Sequence, residues 1–195
     1  MPRVSRAQTA RNHAAIRAAS ARLVRERGLD LRLADVLAAA GLTAGGFYGH
    51  FGSKSELLAG GCADAFAASA ARWGRRVRAA GGREPARRAL IEAYLAAEGP
   101  LTTGCPMASL AADVSRKATP GPVRAAFVAG LESLLAVLAA QQAGRRPSAA
   151  RRRALAELSA MVGALVLARA ARGTPLATQA LAAVRGQLLG SGRRR

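Results

Sequence analysis

Aromatic side chains are scarce in this chain: four Phe, two Tyr and one Trp among 195 residues. Lysine is scarcer than the charge suggests, since only Lys54 and Lys117 accompany a large excess of Arg. An Ala/Arg-rich, Lys-poor chain is what GC-rich coding DNA tends to give, so part of the Arg excess reflects codon usage. The two cysteines, Cys62 and Cys105, are too few for a disulfide framework and imply a reduced, cytoplasmic setting. The two histidines, His13 and His50, form no Cys/His cluster at ligand spacing, so neither a metal nor any other cofactor is expected. No Ser/His/Asp constellation and no phosphate loop stands out, so an enzyme is not expected. The basic N-terminus lacks an apolar stretch behind it, and no secretory signal is expected. The apolar run "LSAMVGALVLARAA" is broken by Arg169 and too short to span a bilayer.

Ala and Leu dominate instead. Hydrophobic residues make up 51% of the chain, enough for a sizeable core, and β-branched residues are few, which points to an all-α protein. The net charge is +19. It favours acidic partners, nucleic acid first and an anionic membrane surface second. The charge is spread out: residues 1–55 hold nine of the thirty Lys and Arg and three of the eleven acids. Charge alone therefore locates no binding face.

Residues 1–10 read as a loose polar arm. A helix from about Arg11 to Gly28 follows, with Ile16, Ala19, Leu23 and Val24 on one face. A short second helix, Leu33 to Ala40, ends at Gly41. Thr43 is a candidate N-cap for a third short helix, about 43–50, on which Phe47 and Phe51 share a face. Ser53 caps a long helix reaching about Ala80. Gly- and Pro-rich breaks then separate helices at about 84–98, 105–117, 121–143, 147–172 and 175–189, for about nine in all.

Two short helices joined across "AAGLT" fit a helix-turn-helix: Gly41 permits the tight turn and Thr43 starts the helix that meets the groove. By itself this signal is weak. The full run "IRAASARLVRERG" followed by "LADVLAAAGLTAGGFYGHFGSKSELL", over about residues 11–58, resembles the N-terminal DNA-binding domain of the TetR (tetracycline-repressor) family of transcriptional regulators. The resemblance implies a three-helix helix-turn-helix head at 1–55 and a C-terminal helical domain at 56–195 for effector binding and dimerisation. It implies that Phe47 and Phe51 seat the recognition helix and that Tyr48, His50 and Lys54 contact phosphates. Thr43, Ala44, Gly45 and Gly46 would lie closest to the bases. Tyr48 and His50 are otherwise ordinary half-exposed helix residues. The chain also departs from the family pattern. Ala44 stands where Arg is frequent, Gly49 where a bulky residue is frequent, and Arg32 where a Ser or Thr usually caps the second helix. Arg32 is then a candidate phosphate contact, and sequence readout falls more on Thr43, Arg32, the N-terminal arm and DNA shape.

Phe66, Trp73, Tyr94, Cys105, Met107, Leu110, Phe127 and Met161 either fill a core or line the effector cavity that the resemblance implies. The few charges within these stretches favour a small, mainly hydrophobic effector. The last two helices carry long apolar stripes (Leu155, Leu158, Val162 and Leu165; Leu176, Leu181, Val184 and Leu188) that need a partner, so a homodimer is expected. The functional expectation is a ligand-responsive repressor, released from a palindromic operator on double-stranded DNA by its effector, with no membrane partner. Two alternatives remain at this level: a repressor sensing electrophiles or oxidants through Cys105, which otherwise is a small buried apolar residue, and a basic protein that coats DNA without sequence preference.

Overall fold

The computed structural model describes residues 5–43, 50–96, 104–116 and 121–190. Among them lie eight α-helices and no strand: α1 (Arg6–Arg27), α2 (Leu33–Ala39), α3 (Lys54–Ala79), α4 (Arg83–Tyr94), α5 (Pro106–Arg116), α6 (Pro122–Ala140), α7 (Pro147–Ala170) and α8 (Pro175–Leu189). The short helix expected at 43–50 falls on residues 44–49, outside the described residues.

The expected loose arm at 1–10 is corrected: α1 begins at Arg6. The Ser5 side chain caps it by accepting from the Gln8 N–H at 3.2 Å. Polar side chains along the first turns then pair at helical spacing, Gln8 with Asn12 and Arg11 with Gln8. Capping and these local pairs stabilise a helix start that has no apolar stripe to advertise it. Other boundaries differ from expectation by a few residues, as fraying ends do.

The chain forms two compact units. Met1–Ala68 and Pro100–Gly130 make the first; Ser69–Gly99 and Leu131–Arg195 make the second. This partition by contacts differs from the division by function expected at residue 55. In the first unit α1 buries Ile16, Ala19, Leu23 and Val24, packing against α2 and α5. Leu57, Leu58, Cys62, Ala65 and Phe66 of α3 are buried as well. The two helices α1 and α3 are tied by the Arg17–Asp64 ion pair and by the Ser20 hydroxyl, which donates to the Leu57 carbonyl at 3.3 Å.

In the second unit α7 and α8 share the most extensive contact, and α4 packs on α8. Its mainly apolar core encloses a polar cluster. Glu157, 4% exposed, accepts from Arg87 at 2.7 Å, Gln142 at 2.8 Å and Arg153 at 2.8 Å. Arg87, 3% exposed, also donates to the Leu188 carbonyl at the end of α8. Burial alone would raise the Glu157 carboxyl, but the hydrogen bonds from Arg87, Arg153 and Gln142 outweigh it and hold it below the usual carboxylate range.

α6 is long and apolar enough to cross a membrane by length and composition alone. Helices of ordinary protein cores meet the same test, and α6 supplies Val123, Leu134, Leu135 and Leu138 to the buried set.

Candidate nucleic-acid interface

The turn between α2 and the following segment has a defined geometry. Gly41 takes φ 71°, the left-handed region that glycine enters without a Cβ penalty. Its N–H donates to the Ala38 carbonyl at 3.0 Å, and the Leu42 N–H donates to the Leu37 carbonyl at 2.9 Å. These two bonds are the Schellman pattern that ends a helix and reverses the chain. Thr43, immediately beyond, is exposed. Val36 and Leu37 are buried and hold α2 onto α1. Arg32 occupies the N-cap position of α2, exposed and without a side-chain cap bond. The incomplete cap expected from sequence is what the structure contains, and it leaves the guanidinium facing outward.

α3 starts with a nearly complete capping box. The Glu56 N–H donates to Ser53 Oγ at 3.1 Å, and the Glu56 carboxylate accepts from the Gly52 N–H at 2.9 Å. Lys54 is the first residue of this helix and is exposed. A cation at a helix N-terminus opposes the macrodipole, so Lys54 does not serve the helix. The ammonium and the helix N-terminus both favour an external anion such as phosphate. Phe51, 5% exposed, stacks on His13 of α1 with ring centroids 4.6 Å apart. That contact seats the start of α3 on α1. His50 is half-buried beside the same pair, its ring centroid 6.4 Å from that of His13. The chain's only two histidines therefore meet, although they lie 37 positions apart; no local pattern in the sequence signals this.

Ala44, Gly45, Gly46, Phe47 and Tyr48 lie outside the described residues. Arg32, Thr43, His50 and Lys54 all fall in the first unit, the first, second and fourth exposed and the third half-buried. The candidate effector residues divide between the units. Phe66 meets Phe127 edge-on at 5.4 Å in the first unit, which also holds Cys105, Met107 and Leu110. Trp73 meets Tyr94 edge-on at 6.2 Å in the second, which also holds Met161. Among the described residues no group of three or more His, Cys, Asp or Glu is placed to hold a metal ion.

Of the candidate dimer residues, Leu158 and Leu181 are buried within the single chain, while Leu155 and Leu176 are 46% and 60% exposed. Val162, Leu165, Val184 and Leu188 are half-buried. The candidate dimer set leaves out two exposed apolar residues, Val166 at 43% and Leu167 at 62%. Helical spacing from Leu155 through Val162 to Val166 would have found the outward stripe.

Among the described residues, a helix stopped by a tight turn at Gly41 and a capped helix starting at Lys54 present exposed polar and cationic side chains within an all-helical fold. Residues 16–60 match the family model described as bacterial regulatory proteins, tetR family. The fold of the whole chain agrees. A transcriptional regulator of the TetR family from Agrobacterium tumefaciens superposes with a TM-score of 0.75 at 21% identity, covering 93% of this chain and 97% of that one. The reduced form of E. coli NemR gives 0.72 at 22%, covering 89% and 95%. A TetR-family transcriptional regulator from Streptomyces coelicolor gives 0.72 at 18%, covering 91% and 88%. No curated protein matches the chain in sequence.

Proposed function

We propose that the protein is a homodimeric, ligand-responsive repressor in which residues 1–55 bind operator DNA and residues 56–195 bind the effector and dimerise. The observation that carries the DNA-binding part is the helix stop at Gly41 and the capped helix start at Ser53. They leave Thr43 and Lys54 exposed at either end of the segment that bears the family motif. Dimerisation is supported by the outward stripe of α7. Leu155, Ser159, Val162, Gly163 and Val166 recur at three- and four-residue spacing, and a Cβ at Gly163 would meet nothing within 4 Å. A second helix can approach closely there. The two heads of such a dimer meet successive major grooves of a palindrome. A small, mainly hydrophobic effector bound in the C-terminal part shifts the population toward a geometry that no longer fits the operator. Repression and cytoplasmic location follow the habit of the family.

The DNA reading is tested with full-length protein and a palindromic fragment selected from random sequence. Wild type is expected to prefer that fragment over bulk DNA by about a thousandfold or more. Lys54→Ala is expected to weaken binding to all sequences alike and to reduce the salt slope by about one, with an unchanged melting temperature. A steep salt slope with no preference for any fragment would instead identify a protein that coats DNA.

A second reading, sensing through Cys105, draws on the contrast between the two thiols. Cys62 is fully buried and burial pushes its thiol up to about 11, which makes it inert. Cys105 is half-buried and immediately precedes Pro106, the first residue of α5. Cys105→Ser is expected to abolish release from DNA by N-ethylmaleimide while leaving DNA affinity unchanged. Release that persists in the serine variant rules this reading out.

A further inference from the structure

Gly28 ends α1 with φ 78°, and the N–H of the next residue, Leu29, leaves the helix and donates to Asp113 Oδ2 at 2.8 Å. Asp113 is half-buried on α5, and its Oδ1 accepts from Arg116. One carboxylate oxygen thus serves the first turn of the head and the other serves the last residue of its own helix. The fit depends on residue 28 having no side chain, because a Cβ built there would overlap Asp113 Oδ2. Leu29 and Leu31 are each 2% exposed, so the turn held by this bond belongs to the core. It leads directly to Arg32 at the start of α2.

We infer that Asp113 is a positioning residue for the DNA-binding head: α5, through this carboxylate, fixes the Gly28–Leu29 turn that sets where α2 begins. The inference rests on the DNA-binding reading proposed above. Its consequence is regulatory. A displacement of α5 withdraws a charged acceptor from a part-buried backbone donor, and a donor left without a partner forces the turn to reorganise. The helix-turn-helix then changes orientation without any change in its own sequence-local bonds. Asp113 acts only through Leu29 and is not assigned to DNA.

The experiment uses full-length protein and the DNA fragments that wild type selects from a random pool. Asp113→Ala and Gly28→Ala are each expected to weaken binding to selected fragments about tenfold, the equivalent of one charge-assisted hydrogen bond. The salt slope stays at the wild-type value, because no phosphate contact is lost. Asp113→Asn, which keeps a neutral acceptor in place, is expected to lose about threefold, and it carries the test if the alanine variant folds poorly. Hydrogen exchange at the Leu29 amide is expected to accelerate in Asp113→Ala. Wild-type preference for the selected fragments in the Asp113 variants, or Leu29 exchange at the wild-type rate, overturns the inference. A wild type that selects no sequence refutes the DNA-binding reading itself, and that control separates the two failures.

Discussion

Glu157→Ala is expected to lower the thermal midpoint by about 10 °C, from a loss of about 3–5 kcal/mol. The carboxylate is the acceptor for three side chains, Arg87, Gln142 and Arg153. Removing it leaves the Arg87 guanidinium, 3% exposed, with Glu84 and the Leu188 carbonyl as partners. Glu84 is 59% exposed at its side chain, so water screens its share of the compensation. A buried charge stripped of its main partner is among the few single changes that destabilise this strongly. Replacing both members, with Arg87→Met and Glu157→Leu, is expected to recover most of the loss, since a packed apolar pair avoids the desolvation of two ions. The pH dependence has a definite sign. Hydrogen bonding holds the Glu157 carboxyl below its usual range in the folded chain. Its contribution is therefore complete above the unfolded value, about 4.3, and is lost as pH falls through the folded one. The gap between wild type and Glu157→Ala should narrow below about pH 4. Calorimetric melts across that range check both points, and a constant gap down to strong acid would argue against the ion-pair account.

If the proposed dimer forms through α7, Val166→Asp is expected to make it a monomer and to weaken binding to a palindromic fragment by about a hundredfold or more, because one head no longer raises the effective concentration of the other. Val166 is 43% exposed in the single chain, so folding itself should change by no more than about 0.5 kcal/mol. Across an interface of two identical faces the new charge recurs on the partner, so association would bury two like charges. Light scattering reads the mass, and half-site and full-site DNA fragments read the affinity. A variant that remains dimeric excludes this face of α7 from the interface. The position matters: Leu158, one turn from Leu155 but facing the core at 1% exposure, would report on folding instead.

The legible parts of this protein are those written within a few residues of one another. The stripe of Ile16, Ala19, Leu23 and Val24 gives α1 its buried face, Gly41 gives the turn, and Ser53 with Glu56 gives the start of α3. Each acts at helical range, so order along the chain is order in space. The start of α1 was missed for the opposite reason: Ser5 and the Gln8–Asn12 pair stabilise a helix without periodic apolar residues, and polarity there suggested a loose arm. The outward face of α7 was only half legible, since from Ala160 to Ala168 the helix carries no charge to mark its outer side. Which leucines meet their own core depends on how α8 packs against it.

Composition and helical periodicity determined by themselves an all-helical chain, and the run around Gly41 its resemblance to the tetR-family N-terminal domain, because those signals are local and additive. Tertiary structure alone decided that His13 lies beside Phe51 and His50, that Arg87 meets Glu157 across 70 positions, and that Asp113 reaches back 84 positions to the Leu29 amide. A hydrogen bond needs its donor and acceptor within about 3 Å, and nothing in the identity of Asp113 says which donor folding will bring there.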